Sequence, residues 1–212
     1  MKAHKDSIVV VDYGVGNMHS VARALLSLGY RVVISRDEDH IRSAAAIVLP
    51  GVGAFPEGMK NLHSLRLIDA LREAVHVGRT PCLGVCLGMQ LLADASDEGG
   101  EHAGLGWIPG RVRRLPAAGV RIPHVGWNTL RVVRKEPLFS LSAPDAEYYF
   151  DHSYYFECER KNVLASSRYG IAFPAAVGLR NIYGVQFHPE KSQTNGLKLY
   201  RSFFTHFGIR PC

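Results

Sequence analysis

The chain has 212 residues, of which 47% are hydrophobic, and its formal net charge is +6. This length suits one large domain over residues 1–212 better than two ordinary domains. No apolar run approaches the roughly 20 residues that a membrane-spanning helix needs, so no membrane partner is expected.

The cysteines and the N-terminal residues indicate a reduced, cytoplasmic protein. Cys82, Cys86, Cys158 and Cys212 are too few and too scattered for a disulfide framework. The spacing of Cys82 and Cys86 is not that of a zinc site, so no metal is expected. The apolar run Ile8–Val11 is too short for the core of a signal peptide and is predicted to be a strand.

The excess of positive charge raises the question of nucleic acid binding. The basic residues concentrate at Arg111, Arg113, Arg114, Arg121, Arg131, Arg134 and Lys135. They lack interleaved aromatic residues and match no recognition module, so a nucleic-acid partner is not expected. A solvated basic face is the favoured interpretation, with an acidic protein partner as the alternative.

The first half of the chain alternates strand and helix patterns. Ile8–Val11 is a β-branched run typical of a parallel strand that is buried on both faces. Asn17 is suited to cap a helix that Gly29 ends. Further strands are predicted at residues 31–34, 46–49 and 81–85, with a helix over residues 62–77. This alternation predicts a doubly wound, mostly parallel α/β sheet.

The pattern changes after about residue 107. Short strands are predicted at residues 130–133, 147–150 and 153–157, with little helix between them. We expect these strands to be antiparallel additions on one side of the sheet. The chain then closes with a strand over residues 182–187 and a helix whose apolar stripe includes Tyr200 and Phe203.

A nucleophile-elbow pattern occupies residues 81–90. An apolar strand leads into Gly84, Cys86 and Gly88, in the Gly-x-Cys-x-Gly spacing, and then into a helix. A tight strand-to-helix turn crowds the two flanking positions, which explains the glycines. The helix N-terminus would also favour a thiolate at Cys86. The alternative is a buried structural cysteine.

A candidate base and its orienting carboxylate follow the last predicted strand. Side chains two residues apart in an extended chain point the same way, so Glu190 can reach His188 and fix its tautomer. A cysteine nucleophile requires such an oriented histidine. Cys86, His188 and Glu190 are therefore the candidate catalytic residues.

The glycine-rich loop after the strand at 46–49 is a candidate oxyanion loop. Gly51, Val52 and Gly53 lie where a backbone N–H can point at a developing negative charge. The loop lacks the P-loop pattern for binding phosphate. Gly14 and Gly16 imitate part of a dinucleotide fingerprint, but the third glycine is absent, so NAD and other cofactors are not expected.

Together these motifs resemble the class I (triad) glutamine amidotransferase family over residues 7 to about 207. The segments at residues 12–17, 122–128, 152–155 and 188–192 are similar, more narrowly, to the glutaminase subunits of imidazole glycerol phosphate synthases. The resemblance implies hydrolysis of glutamine to glutamate and ammonia through a thioester on Cys86. It also implies a heterodimer with a separate cyclase subunit of histidine biosynthesis, which would receive the ammonia.

The resemblance implies roles for further residues. Gln90, Ser153 and Tyr154 would hold the glutamine substrate. The expected contacts with the cyclase partner are Asn17, Trp127 and Lys191.

Two residues depart from the family pattern. Asp151 stands where a small apolar residue is more usual, and Pro174 lies within a predicted strand. Both departures point to a specialised paralogue, and Asp151 together with the stretch at residues 95–102 keeps open one that supplies ammonia for amidination of a surface-polysaccharide sugar. An inert α/β binding module and a γ-glutamyl peptidase are the remaining alternatives.

Overall fold

A computed structural model describes residues 6–117 and 119–212. Its strands are β1 (Ile8–Val11), β2 (Val32–Ser35), β3 (Ala46–Leu49), β4 (Cys82–Val85), β5 (Ala95–Ser96), β6 (His102–Ala103), β7 (Gly110–Arg114), β8 (His124–Thr129), β9 (Arg131–Val132), β10 (Glu147–His152), β11 (Tyr154–Cys158), β12 (Val163–Tyr169), β13 (Ile171–Leu179) and β14 (Ile182–Val185).

The helices are α1 (Met18–Ser27), α2 (Glu38–Arg42), α3 (Phe55–Ser64), α4 (Leu67–Arg72), α5 (Leu87–Gln90) and α6 (Gln193–His206). A π-helical turn spans Glu73–Val77, and 3₁₀ turns span Arg160–Asn162 and Pro189–Lys191. In the described ranges, no helix combines the length and the apolar character needed to cross a bilayer.

The main sheet has the strand order β2-β1-β3-β4-β14-β13-β12-β9. The pairs from β2 to β14 are parallel, and β13, β12 and β9 continue the sheet in antiparallel pairing. The predicted mostly parallel sheet with antiparallel additions is therefore confirmed. Because parallel strands end at the same edge, the segments after β3, β4 and β14 meet there.

Helices cover both faces of this sheet. Along β1, Val9 and Val11 pack with residues of α3 and α4, whereas Ile8 and Val10 pack with residues of α1 and α6. The strand is buried on both faces, which accounts for its unbroken β-branched run.

Two predictions about the elements were wrong. The helix predicted over residues 62–77 is divided into α3, α4 and the π-helical turn, because Arg66 adopts a left-handed conformation at φ 57° and interrupts the helix. The strands predicted near 147–157 do not join the main sheet. β10 pairs with β8, whereas β11 belongs to a four-stranded sheet with β7, β5 and β6. The chain bends at Ser153 as it passes from one small sheet to the other.

Carboxylates within the chain neutralise the beginning of the basic stretch. Arg111 pairs with Asp97 at 2.6 Å and with Glu101 at 2.9 Å. Arg113 pairs with Glu157 at 2.5 Å and with Asp97 at 3.1 Å. This part of the surface therefore carries less positive charge than the sequence indicates.

Candidate active site

Cys86 lies in a strained turn between β4 and α5. Its backbone dihedrals are φ 52° and ψ −108°, a conformation that costs energy in any residue with a Cβ. The turn requires glycine on both sides. A Cβ at Gly88 would lie 1.8 Å from the Leu49 carbonyl oxygen, and one at Gly84 would lie 2.6 Å from the Gly88 oxygen. The α5 helix has only four residues, so its dipole contributes little to stabilising a thiolate.

His188 and Glu190 form a buried pair beyond the end of β14. The Nδ1 atom of His188 lies 2.8 Å from Oε1 of Glu190, and the two side chains are 1% and 2% exposed. A carboxylate at Nδ1 holds the proton on that nitrogen, so Nε2 remains free to exchange protons with a nucleophile. Among the described residues, Nε2 has no hydrogen-bond partner apart from its interaction with the Cys86 thiol.

The Cys86 thiol faces this imidazole. Burial alone lowers the pKa of His188, but the charge and hydrogen bonding of Cys86, followed by those of Glu190, raise it by more. The pKa of His188 therefore lies above its ordinary value. This environment favours the protonated imidazolium form of His188 beside Cys86.

The loop at residues 51–53 is fixed at its start by Tyr13. The buried Tyr13 hydroxyl donates a hydrogen bond to the Pro50 carbonyl. Gly51 packs closely against Tyr13, because a Cβ at position 51 would lie 2.6 Å from the Tyr13 hydroxyl oxygen. In the part of the chain that the structure describes, no hydrogen-bond acceptor meets the backbone N–H of Val52 or Gly53.

A cavity of about 270 Å³ opens beside Cys86. Its lining includes most of the predicted oxyanion and substrate residues, namely Val52, Gly53, Gln90, Ser153 and Tyr154. Gln90 is buried, and its Nε2 donates to the Tyr154 carbonyl at 2.9 Å. The structure thus brings the two predicted substrate segments into contact with each other.

Two residues around Cys86 and its cavity, Glu98 and Gln186, were not predicted. Glu98 lines the cavity, and its Oε2 accepts a hydrogen bond from the Phe55 N–H at 2.8 Å. Gln186 is fully buried, accepts from Gln90 at 3.1 Å and donates towards Cys86 Sγ at 3.7 Å. The two-residue repeat of a strand could have revealed Gln186, because it precedes His188 by two positions. No sequence pattern pointed to Glu98.

Comparisons with known proteins identify the family. The model for "Glutamine amidotransferase class-I" matches residues 9–207. The chain belongs to this family. The predicted glutamine amidotransferase activity is thereby confirmed, and the comparisons with individual proteins agree with it.

Curated relatives match the chain over most of its length. It is 49% identical to the imidazole glycerol phosphate synthase subunit HisH 2 of Vibrio vulnificus, over 92% of each chain. It is 42% identical to subunit HisH of Archaeoglobus fulgidus, over 92% of this chain and 96% of the relative.

A solved structure described as the crystal structure of glutamine amidotransferase has the same fold. Its TM-score is 0.75 at 25% identity, over 95% of this chain and 99% of that one. The PurLQS structure from Thermotoga maritima gives a TM-score of 0.73 at 19% identity, over 94% and 98% of the two chains, which shows the fold alone.

Two of the expected partner residues of this amidotransferase lie along one surface. The Trp127 ring meets the Tyr149 ring at a centroid distance of 5.9 Å, and Lys191 Nζ lies 5.3 Å from the centroid of Tyr149. Asn17 caps α1 by accepting from the Ser20 N–H, and α1 packs against the turn that carries Lys191. Among the described residues, no group of three or more His, Cys, Asp and Glu side chains could hold a metal ion.

Proposed function

We propose that this chain is the glutaminase subunit of an imidazole glycerol phosphate synthase and that it passes ammonia to a separate cyclase subunit. The observation that carries the catalytic part is the buried His188–Glu190 pair opposite Cys86, beside a cavity. The relatives that bear the synthase name, at 42–49% identity, support the pathway.

The proposed reaction begins with attack of the Cys86 thiolate on the side-chain amide carbon of glutamine. The resulting tetrahedral intermediate collapses as His188 Nε2 gives its proton to the leaving nitrogen, so that ammonia departs and a γ-glutamyl thioester remains. His188 then removes a proton from water, which attacks the thioester carbon. Collapse of the second intermediate releases glutamate and restores the thiolate and the imidazolium. Glu190 holds the imidazole in the required tautomer throughout.

The oxyanion of each intermediate needs backbone donors. The elbow geometry offers the N–H of Leu87, the residue after the nucleophile, because the first N–H groups of a helix have no partner within it. The loop after β3 offers a second donor at Val52 or Gly53. Gly53 has a φ of +114°, a backbone conformation that residues with a Cβ rarely adopt. Because glycine tolerates it, the peptide between Val52 and Gly53 can take orientations that would be strained at another residue.

Charge in the cavity accounts for binding of an amino acid. Glu98 supplies a carboxylate for the α-ammonium group of glutamine, and its bond from Phe55 anchors it there. Gln90, Ser153 and Tyr154 supply polar groups for the remainder of the substrate.

The cyclase is proposed to cover the surface that contains Trp127 and Lys191. Trp127 is 44% exposed and Val125, on the same face of β8, is 53% exposed. Large apolar side chains exposed side by side are typical of a surface that a partner covers.

Reconstitution with the cyclase subunit of the same organism tests this function. We expect glutamine to support formation of imidazole glycerol phosphate only when both subunits are present, whereas ammonium salts should support it with the cyclase alone. The matched control is the His188→Ala subunit, which should allow only the ammonium-dependent reaction. Glutamine-dependent product without this chain, or no product with both subunits, would contradict the proposal.

A further inference from the structure

Two buried histidines lie next to each other at the cavity and take no part in the proposed chemistry. His124 opens β8 and His152 ends β10, and they are 2% and 5% exposed. His124 Nδ1 lies 3.0 Å from His152 Nε2. His152 also lines the cavity beside Cys86.

The hydrogen bonds of the pair specify one arrangement of protons. The Tyr154 carbonyl, 2.9 Å from His152 Nδ1, can only accept, so His152 carries its proton on Nδ1. His152 Nε2 is then an acceptor, and His124 must donate to it from Nδ1. His124 Nε2 in turn accepts from the Asn128 amide at 3.3 Å.

Both rings must be neutral for this arrangement to persist, because a proton on His152 Nε2 would face the N–H of His124. Burial lowers the pKa of His152 to about 3 and that of His124 to about 4. Stacking also fixes the His124 ring, whose centroid lies 4.0 Å from that of Tyr169 and 4.8 Å from that of Phe150.

The inner end of this chain of bonds is a substrate-binding element. The Tyr154 carbonyl that His152 holds also accepts from Gln90 Nε2 at 2.9 Å. The outer end is β8, whose His124 and Asn128 face inwards while Val125 and Trp127 are exposed. One strand therefore presents the proposed partner surface on one face and the histidine chain on the other.

We propose that Asn128, His124 and His152 are positioning residues, forming a hydrogen-bond relay that sets the Tyr154 carbonyl and Gln90 for glutamine binding. The inference rests on the proposed function, and it assigns to these residues a part in setting the affinity for glutamine. The relay touches neither the thiolate nor the scissile amide, so its loss should raise the KM for glutamine and leave kcat nearly unchanged. Removal of one buried hydrogen bond corresponds to a rise of about three- to tenfold.

Substitutions at His124 separate the relay from packing. His124→Phe keeps an aromatic ring between Phe150 and Tyr169 and removes both nitrogens. His124→Asn retains a donor near the Nδ1 position and should restore much of the affinity despite the smaller side chain. The control is His76→Phe, since His76 also packs against an aromatic ring, that of Trp107, but lies outside the cavity lining.

The experiment measures glutamine hydrolysis by each variant and by the wild-type chain, in complex with the cyclase. Imidazole ¹⁵N spectra at neutral pH report the tautomers independently. We expect an increased KM for His124→Phe, partial recovery for His124→Asn, no change for His76→Phe, and neutral Nδ1–H tautomers at both relay histidines. An unchanged KM in folded His124→Phe, a loss confined to kcat, or an Nε2–H tautomer at His152 would overturn the relay. A wild-type chain that hydrolyses no glutamine would instead contradict the proposed function.

Discussion

Lys191 Nζ lies 3.7 Å from Oδ2 of Asp151, a residue that lines the cavity beside Cys86. The side chains are 35% and 44% exposed, so this ion pair is worth at most about 1 kcal/mol. The backbone carbonyl of Asp151 is also 3.8 Å from Cys86 Sγ. The sequence analysis gives Lys191 as an expected partner contact and Asp151 as a departure from the family pattern. The structure shows that these two residues form an ion pair with each other. A carboxylate on the partner would have to compete with Asp151 for Lys191.

This competition predicts opposite effects on assembly. Asp151→Ala should tighten binding of the cyclase by up to about fivefold, because Lys191 is released, and Lys191→Ala should weaken it by a similar factor. Isothermal titration calorimetry measures both, with Lys161→Ala, which removes a different surface ion pair, as the control. Equal weakening by Asp151→Ala and Lys191→Ala would mean that Asp151 contacts the partner itself.

The two members of the buried pair should contribute unequally to catalysis. His188→Ala removes the proton carrier and should slow glutamine hydrolysis by about 10²–10⁴-fold. Glu190→Gln leaves the imidazole present but poorly oriented, so its loss should be smaller by at least about tenfold. Steady-state rates at saturating glutamine give the comparison, with thermal unfolding to verify folding. If Glu190→Gln were the more damaging change at equal stability, His188 could not be the base and Glu190 the carboxylate that orients it.

The glycines around Cys86 should be required for folding. Because a Cβ at Gly88 would lie 1.8 Å from the Leu49 oxygen, Gly88→Ala should lower the free energy of unfolding by about 3 kcal/mol or more. Gly99→Ala is the matched control, since a Cβ there meets nothing within 4 Å and only the positive φ opposes it, at about 1 kcal/mol. Chemical denaturation measures both, and equal losses would show that the elbow is not sterically constrained.

The relay histidines predict a pH dependence of stability. Burial lowers their folded-state pKa to about 3 and about 4, below the ordinary value of 6.5, so the unfolded chain binds protons that the folded chain does not. Their stabilisation is present above pH 6.5 and is lost as the pH falls towards these values. His124→Phe removes one of these proton-binding groups, so between pH 6.5 and pH 4 the free energy of unfolding should change less steeply with pH than in the wild type. The expected reduction in slope is up to about 1.4 kcal/mol per pH unit, which corresponds to one proton. Identical slopes in wild type and variant would contradict neutral burial of His124.

The sequence predicts the fold where apolar runs and glycines act locally. Ile8–Val11 and Ala46–Leu49 are strands with the predicted bounds, because both are buried on both faces. A strand was expected around Pro174, which lies in β13, but β12 was not predicted, since its serine and alanine residues form a strand through pairing with β13 and β9. Tertiary context of this kind overrides local propensity.

The candidate site divides in the same way. Cys86, His188 and Glu190 are found from spacing alone, because a strand-to-helix turn and a two-residue repeat are local patterns. Glu98 reaches the cavity through a bond to Phe55, which is 43 residues away along the chain. His124 and His152, separated by 28 residues, meet only because β8 pairs with β10. Long-range pairing of this kind has no signature in a single sequence.

Stimulation by the partner should depend on the oxyanion loop. If docking turns the peptide before Gly53, the isolated chain should hydrolyse glutamine about 10²–10³-fold more slowly than the complex, the usual effect of one oxyanion donor. Gly53 has a φ of +114°, which alanine disfavours, so Gly53→Ala should shift the orientation of this peptide. The variant should therefore change the stimulation of turnover by the cyclase rather than the binding of glutamine. The ratio of turnover with and without the cyclase measures the effect. Full activity of the isolated chain would contradict such a switch.

Cys86→Ser tests the assignment of Cys86 as the nucleophile with minimal change in the shape of the side chain. The ammonium-dependent reaction of the cyclase should be unaffected by the variant, which verifies that the partner remains intact. The direct measurement is the rate of glutamate release from glutamine by the wild-type and Cys86→Ser complexes. We expect a loss on the order of 10³-fold or more, because a serine hydroxyl, unlike an activated thiol, does not ionise near neutral pH. Glutamate release by Cys86→Ser at the wild-type rate would contradict this assignment.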